Sequence, residues 1–177
     1  MIEVRIHGYG GQGAVTLATL LNKAATNNGS HSQALPFFGV ERRGAPVRAI
    51  VRISDAPIHV HSQRAVADLL VIMSDTLYDI ANSDSVKPSC KYIINAISNN
   101  KQFNHKNCIV IDAMGVAKEY ELGTQSAAVN VPLYAACCFA LSIPKQIMAD
   151  TIFEKWSGET GQKNVNAALS VFNSLEE

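Results

Sequence analysis

Charge is scarce in this 177-residue chain: 17% of its residues are Asp, Glu, Lys or Arg, and 15 basic side chains balance 15 acidic ones. A nucleic-acid binder needs a basic surface to neutralise phosphates, so zero net charge argues against that class. Few charges beside 47% hydrophobic residues suit a chain whose surface is partly covered by other chains. Long apolar runs are also missing, and none reaches the roughly 18 residues of a membrane span. The N-terminus enters an alternating stretch at once, which leaves no room for a signal peptide and predicts a cytoplasmic chain.

The four cysteines, Cys90, Cys108, Cys137 and Cys138, include no C-x-x-C pair. Iron–sulfur clusters and structural zinc draw closely spaced thiolates from a loop, so neither is expected on this chain. Cys137 and Cys138 fall inside the helical run Leu133 to Leu141 and read as small buried thiols. Nor is there a G-x-S-x-G turn, or a cysteine set beside a recognisable base, for nucleophilic catalysis. His59 and His61, two apart on a predicted strand, face the same side, but no third metal ligand accompanies them.

What is present begins at residue 2. Ile2, Val4 and Ile6 alternate with polar residues as in a strand, while Val15, Leu17, Leu20 and Leu21 recur at helical spacing. Between them Gly8, Gly10 and Gly13 form G-x-G-x-x-G, a tight turn that aims backbone N–H groups and the positive end of a helix dipole at one point. Such a point suits a phosphate, with Gly10, Gly11, Gln12 and Gly13 supplying the turn and Thr16 a hydroxyl. His7 either bonds the same anion or ties down the loop. A plain strand-to-helix corner is the alternative. An NAD site further requires an acid about 20 residues on, and the chain there reads Ser30 to Pro36 without one. Beyond it stand Arg42 and Arg43, whose guanidinium groups fork onto phosphate or form a subunit salt bridge.

The first helix is predicted over 12–27, closed by Asn28-Gly29, and a second strand near Ser32 to Phe38, held to an edge by Pro36. Val47 to Ile53 alternates, with Arg48, Ile50 and Arg52 on a polar face predicted to be solvated or to meet a partner. The turn at Asp55-Ala56-Pro57 and Ile58 to His61 complete a β-hairpin insertion near 45–62. Ala67 to Met73 reads as a strand buried on both faces, with Ser74-Asp75 capping a helix behind it. Tyr92 to Ile97 and Cys108 to Ala113 read as further strands. Helices follow over Leu133 to Leu141, from Pro144 to Trp156 and from about Asn164 to Leu175. The pattern is a single α/β domain over 1–177, a Rossmann-like and mostly parallel central sheet flanked by helices, with a helical C-terminus.

Two longer motifs carry a resemblance. His7-Gly8-x-Gly10-Gly11-Gln12-Gly13-Ala14-Val15-Thr16, followed by Gly39-Val40-Glu41-Arg42-Arg43-Gly44-Ala45-Pro46-Val47 and Arg52-Ile53-Ser54-Asp55-x-Pro57-Ile58, resembles the gamma subunit of the 2-oxoacid:ferredoxin oxidoreductases, in the pyruvate (pyruvate synthase) or 2-oxoisovalerate version. Tyr9 departs from it, standing where many pyruvate-type members have Arg. The resemblance implies a cytoplasmic complex that converts a 2-oxoacid and coenzyme A to acyl-CoA and carbon dioxide while reducing ferredoxin. It places thiamine diphosphate, Mg and iron–sulfur clusters on alpha, beta and delta (ferredoxin-like) partner subunits. No catalytic or metal residue is then expected on this chain; coenzyme A binding through Gly10, Gly11, Gln12, Gly13, Thr16, Arg42 and Arg43 is, as are assembly with the partners and self-association of the isolated chain. A stand-alone nucleotide-binding dehydrogenase and a purely structural subunit stay open as alternatives.

Overall fold

The structure is a computed structural model and describes residues 1–37, 44–60, 66–83, 85–97, 103, 107–123 and 128–177. Six strands form one sheet: β1 (Ile2–Tyr9), β2 (His31–Phe37), β3 (Pro46–Ser54), β4 (Ala67–Ile72), β5 (Val86–Asn95) and β6 (Cys108–Ile111), in the order β2-β3-β1-β4-β5-β6. β1, β4, β5 and β6 run parallel, while β3 lies antiparallel to both β1 and β2. The helices are α1 (Ala14–Asn27), α2 (Tyr78–Asn82), α3 (Ala113–Glu119), α4 (Asn130–Ala140), α5 (Lys145–Lys155) and α6 (Gly158–Ser174). This is the α/β, mostly parallel architecture with a helical end that the periodicities predict. None of the described helices is long and apolar enough to cross a membrane.

The core follows from strand alternation. Val4 and Ile6 of β1, Ala49 and Val51 of β3, and Leu69 and Val71 of β4 point to one face and pack against Leu17, Leu20, Leu21 and Ala24 of α1 and against α4. α4 is apolar all round and its residues Val131 to Cys138 are fully buried, because α1, α3, α5 and α6 surround it. On the other face a smaller cluster gathers Leu70, Ile72, Leu77, Ala81, Cys90 and Ile94 under α2. At the corner between α5 and α6, Gly161 comes so close to the Trp156 carbonyl that a Cβ would sit 1.8 Å from the oxygen.

Two sequence expectations require correction. The polar side of β3 is not solvated: Arg52 is 0% exposed, its Nε 3.1 Å from Glu3 Oε2, while Arg5 Nε lies 3.0 Å from Glu3 Oε1. The antiparallel register that sets Glu3 opposite Arg52 creates this buried charged layer. The antiparallel insertion is made by β2 and β3, and no strand forms over 55–60. There the Val60 carbonyl accepts Arg52 Nη1 at 2.6 Å in place of a neighbouring strand. His61 lies outside the described residues.

Removing one member of a buried charge group costs about 3 to 5 kcal/mol, since its partners keep their desolvation penalty. Glu3→Gln should therefore lower the urea midpoint by an amount corresponding to at least ~3 kcal/mol. An unchanged midpoint would show that the guanidinium groups are satisfied without this carboxylate.

Candidate functional site

β1 is the strand at which the chain changes direction across the sheet. From β1 it passes through α1 to β2 on one side, and from β4 through α2 to β5 on the other, with α1 and α2 on opposite faces. Ligands of open α/β sheets bind outside the carboxyl ends of strands at such a switch point. Here that crevice lies between the ends of β1 and β4, where the glycine turn is placed.

The turn is tightly organised. Gln12 closes it on Tyr9 twice: its N–H donates to the Tyr9 carbonyl at 3.0 Å, and its Oε1 accepts from the Tyr9 N–H at 2.8 Å. Gly10 N–H donates to the Ala45 carbonyl at 2.9 Å, and Gly44 N–H to the Gly10 carbonyl at 3.4 Å, which stitches the turn to the start of β3. The amides of Gly10 and Gln12 are thus engaged within the chain. The donors that α1 leaves without intrahelical partners are those of its first turn, Ala14 to Thr16. No acid and no side-chain cap occupies this helix start.

Each glycine has its own reason. At Gly8 a Cβ would meet Met73 Sδ at 2.9 Å. Gly13 is the cap of α1 in the left-handed region (φ 86°), and a Cβ there would lie 3.0 Å from Asn130 Cγ. Close packing at this position is therefore between the starts of α1 and α4, and not between helix and strand. Gly11 (φ 96°) has nothing within 4 Å of its Cβ direction among the described residues, and none of their apolar side chains covers the tip of the turn there.

Asn130 is a residue to which sequence reasoning gave no role in the site. It is buried to 6% exposure at the first position of α4, against the cap of α1, and its carboxamide has no hydrogen bond among the described residues. The available signal was a single polar residue opening an otherwise apolar helix, Val129-Asn130-Val131-Pro132-Leu133. Two helix N-termini without acidic residues in their first turns converge here, an environment favourable to an anion.

Thr16 is half-buried in the first turn of α1. Thr19 and Thr26 donate back to carbonyls four residues earlier, at 2.8 and 2.9 Å, but the Thr16 hydroxyl makes no such bond. His7 belongs elsewhere: alternation along β1 puts it with Glu3 and Arg5 in the charged layer, on the face away from α1. Arg42 and Arg43 lie outside the described residues. Among the described residues no group of three His, Cys, Asp or Glu could hold a metal, and His59 is exposed. Two cavities of about 210 Å³, sharing Ile2 and Leu141, lie at the other end of the strands, around the start of β1 and away from the glycine turn.

Residues 3–174 match the family described as pyruvate ferredoxin/flavodoxin oxidoreductase. The pyruvate synthase subunit PorC of Methanothermobacter thermautotrophicus is 39% identical over 100% of this chain and 97% of its own length. The chain belongs to this family as a gamma subunit. The pyruvate/ketoisovalerate oxidoreductases common subunit gamma of Thermococcus kodakarensis is 38% identical over 98% of this gamma subunit and 96% of that protein. The crystal structure of the pyruvate oxidoreductase subunit PORC of Thermotoga maritima superposes with a TM-score of 0.81 at 25% identity, over 97% of this chain and 95% of that one. The gamma subunit is thus part of an oxidoreductase of the pyruvate:ferredoxin class.

The thiols of the gamma subunit are packing groups. Cys137 and Cys138 are 0% exposed; burial raises both, Cys138 to about 12, and burial likewise pushes Cys90 and Cys108 up to about 11. Because the folded state holds these protons more tightly than the unfolded chain does, the stabilisation is complete below the unfolded thiol value near ~8.5 and is lost as pH rises through the folded values. Unfolding free energy should fall progressively between about pH 8.5 and 11, and substituting Cys108 by Ser should reduce that slope. A flat profile over this range would contradict the burial assignment. In the turn, Gly13→Ala should lower Tm more than Gly11→Ala, because only residue 13 adds an Asn130 contact to the left-handed strain.

Proposed function

We propose that this gamma subunit holds the phosphate-bearing part of coenzyme A for the oxidation of pyruvate or a related 2-oxoacid to acyl-CoA and carbon dioxide, with ferredoxin as electron acceptor. The amides of Gly11, Gly13 and Ala14 to Thr16 and the Thr16 hydroxyl bind phosphate oxygens, helped by the Asn130 carboxamide, while Gly10 and Gln12 hold the turn in shape. Arg42 and Arg43 supply the cations. The single observation that carries this reading is the bond from Gly44 N–H to the Gly10 carbonyl: the residue that follows Arg43 in sequence is fastened to the glycine turn. Several phosphates need both fixed dipoles and cationic side chains, and a bond between the turn and the residue after Arg43 supports the two acting on one ligand.

Alpha, beta and delta partner subunits complete the enzyme in this reading. Thiamine diphosphate with Mg on those partners supplies the decarboxylating chemistry, and their iron–sulfur clusters carry the electrons to ferredoxin. The gamma subunit binds and orients coenzyme A and contributes contact surface to the assembly. Its exposed apolar residues Val15, Ile97 and Met114 support an assembly role.

In the assembled complex, Gly11→Asp places a carboxylate where the turn is open, and Arg43→Gln removes a cation. Each should raise the apparent KM for coenzyme A about tenfold or more and leave that for the 2-oxoacid within about twofold, as expected for lost contacts to one substrate. Equal effects on both substrates, or loss of assembly without a coenzyme A effect, would favour a purely structural subunit.

A further inference from the structure

The crevice at the switch point has a second wall that the coenzyme A reading does not use. Tyr9, the last residue of β1, lies on the face away from α1, its ring packed on the smaller apolar cluster. Its hydroxyl is 3.1 Å from Thr76 Oγ1, and Thr76 Oγ1 is 2.9 Å from Ser74 Oγ. Ser74 and Thr76 follow β4, the strand next to β1, so this chain of hydroxyls crosses from the end of one strand to the end of the other. The glycine turn and Asn130 bound the crevice on one face of the sheet, and the three hydroxyls bound it on the other.

Donor arithmetic gives this wall a chemistry. Three hydroxyls carry three O–H donors, and the two contacts between them consume two. One donor remains, together with unused lone pairs, and Thr76 is exposed. The backbone of Tyr9 is held rigidly, with both its N–H and its carbonyl bonded to Gln12, so the chain is fixed relative to the phosphate-binding amides. Neutral hydroxyls with one spare donor match an uncharged oxygen of a ligand better than a phosphate, which favours cations and several converging N–H groups.

We infer that Tyr9, Thr76 and Ser74 form a specificity-determining wall that hydrogen-bonds an uncharged oxygen, a sugar hydroxyl or an amide carbonyl, of the ligand whose phosphate lies at the glycine turn; this rests on the coenzyme A reading. The residue at position 9 then selects by hydrogen bonding and not by charge.

The test uses the assembled complex with Tyr9→Phe, Thr76→Val and the conservative Thr76→Ser. Tyr9→Phe keeps the ring and its packing, so it should leave Tm unchanged. Tyr9→Phe and Thr76→Val should each raise the KM for coenzyme A about threefold to tenfold, the value of one net hydrogen bond, with kcat and the 2-oxoacid KM unchanged. Thr76→Ser should restore the wild-type value. Inhibition by adenosine 3′,5′-bisphosphate separates the two sources: weakened inhibition in Tyr9→Phe assigns the contact to the sugar, and unaltered inhibition beside a raised coenzyme A KM assigns it to an amide. If Gly11→Asp raises the coenzyme A KM while Tyr9→Phe and Thr76→Val do not, the wall is refuted and the coenzyme A reading stands. If none of the three variants moves it, both fall.

Discussion

The fold and its site depend on a left-handed residue without a side chain at position 13. There β1 turns into α1, and the starts of α1 and α4 approach until a single Cβ would press on Asn130. Helices carry partial positive charge at their N-termini, so bringing two together uncompensated is unfavourable unless an anion or a capping side chain answers it. Neither start has an acid in its first turn or a side-chain cap. The close approach that packs α4 into the core therefore also gathers helix-start donors at the switch point, which links a packing requirement to the proposed binding site.

The other half of the molecule solves a different problem. β3 enters antiparallel between β1 and β2, and its register brings Arg52 under cover opposite Glu3. One carboxylate answers two guanidinium groups, and Asp68 accepts from the Glu3 backbone while Lys87 pairs with its other oxygen. This layer fixes the position of β3, whose first residues and the preceding Gly44 and Ala45 bond the glycine turn. Charge buried at one end of β3 and hydrogen bonds at its other end serve the same element.

Local periodicity made much of this legible. The β1, glycine-turn and α1 unit is encoded by alternation, glycines and helical spacing within a few residues of each other, and β4 by an apolar run that continues unbroken after Asp68. What escaped depends on partners distant in the chain. Ile58 and Val60 alternate like a strand, yet the position beside β3 is taken by β1 and β2, and Arg52 binds the Val60 carbonyl. β5 starts at Val86, earlier than its composition suggests, since Lys87, Pro88 and Ser89 show no alternation; α6 likewise begins at Gly158, ahead of the apolar spacing that announces it. The short α3, capped by Asp112 Oδ1 on Gly115 N–H at 2.7 Å, has no counterpart among the predicted elements, and the strand predicted to Ala113 ends at Ile111. In the candidate site the glycines were visible, but Asn130 and the Tyr9–Thr76 contact exist only once the sheet order is set.

The central claim is that the first-turn amides of α1 receive a phosphate of coenzyme A. Amide hydrogen exchange across residues 10–17 in the assembled complex, with and without coenzyme A, tests it most directly. The account predicts slowed exchange in that segment on adding coenzyme A and none on adding the 2-oxoacid alone. Unchanged exchange there, with protection arising only on other subunits, would contradict it.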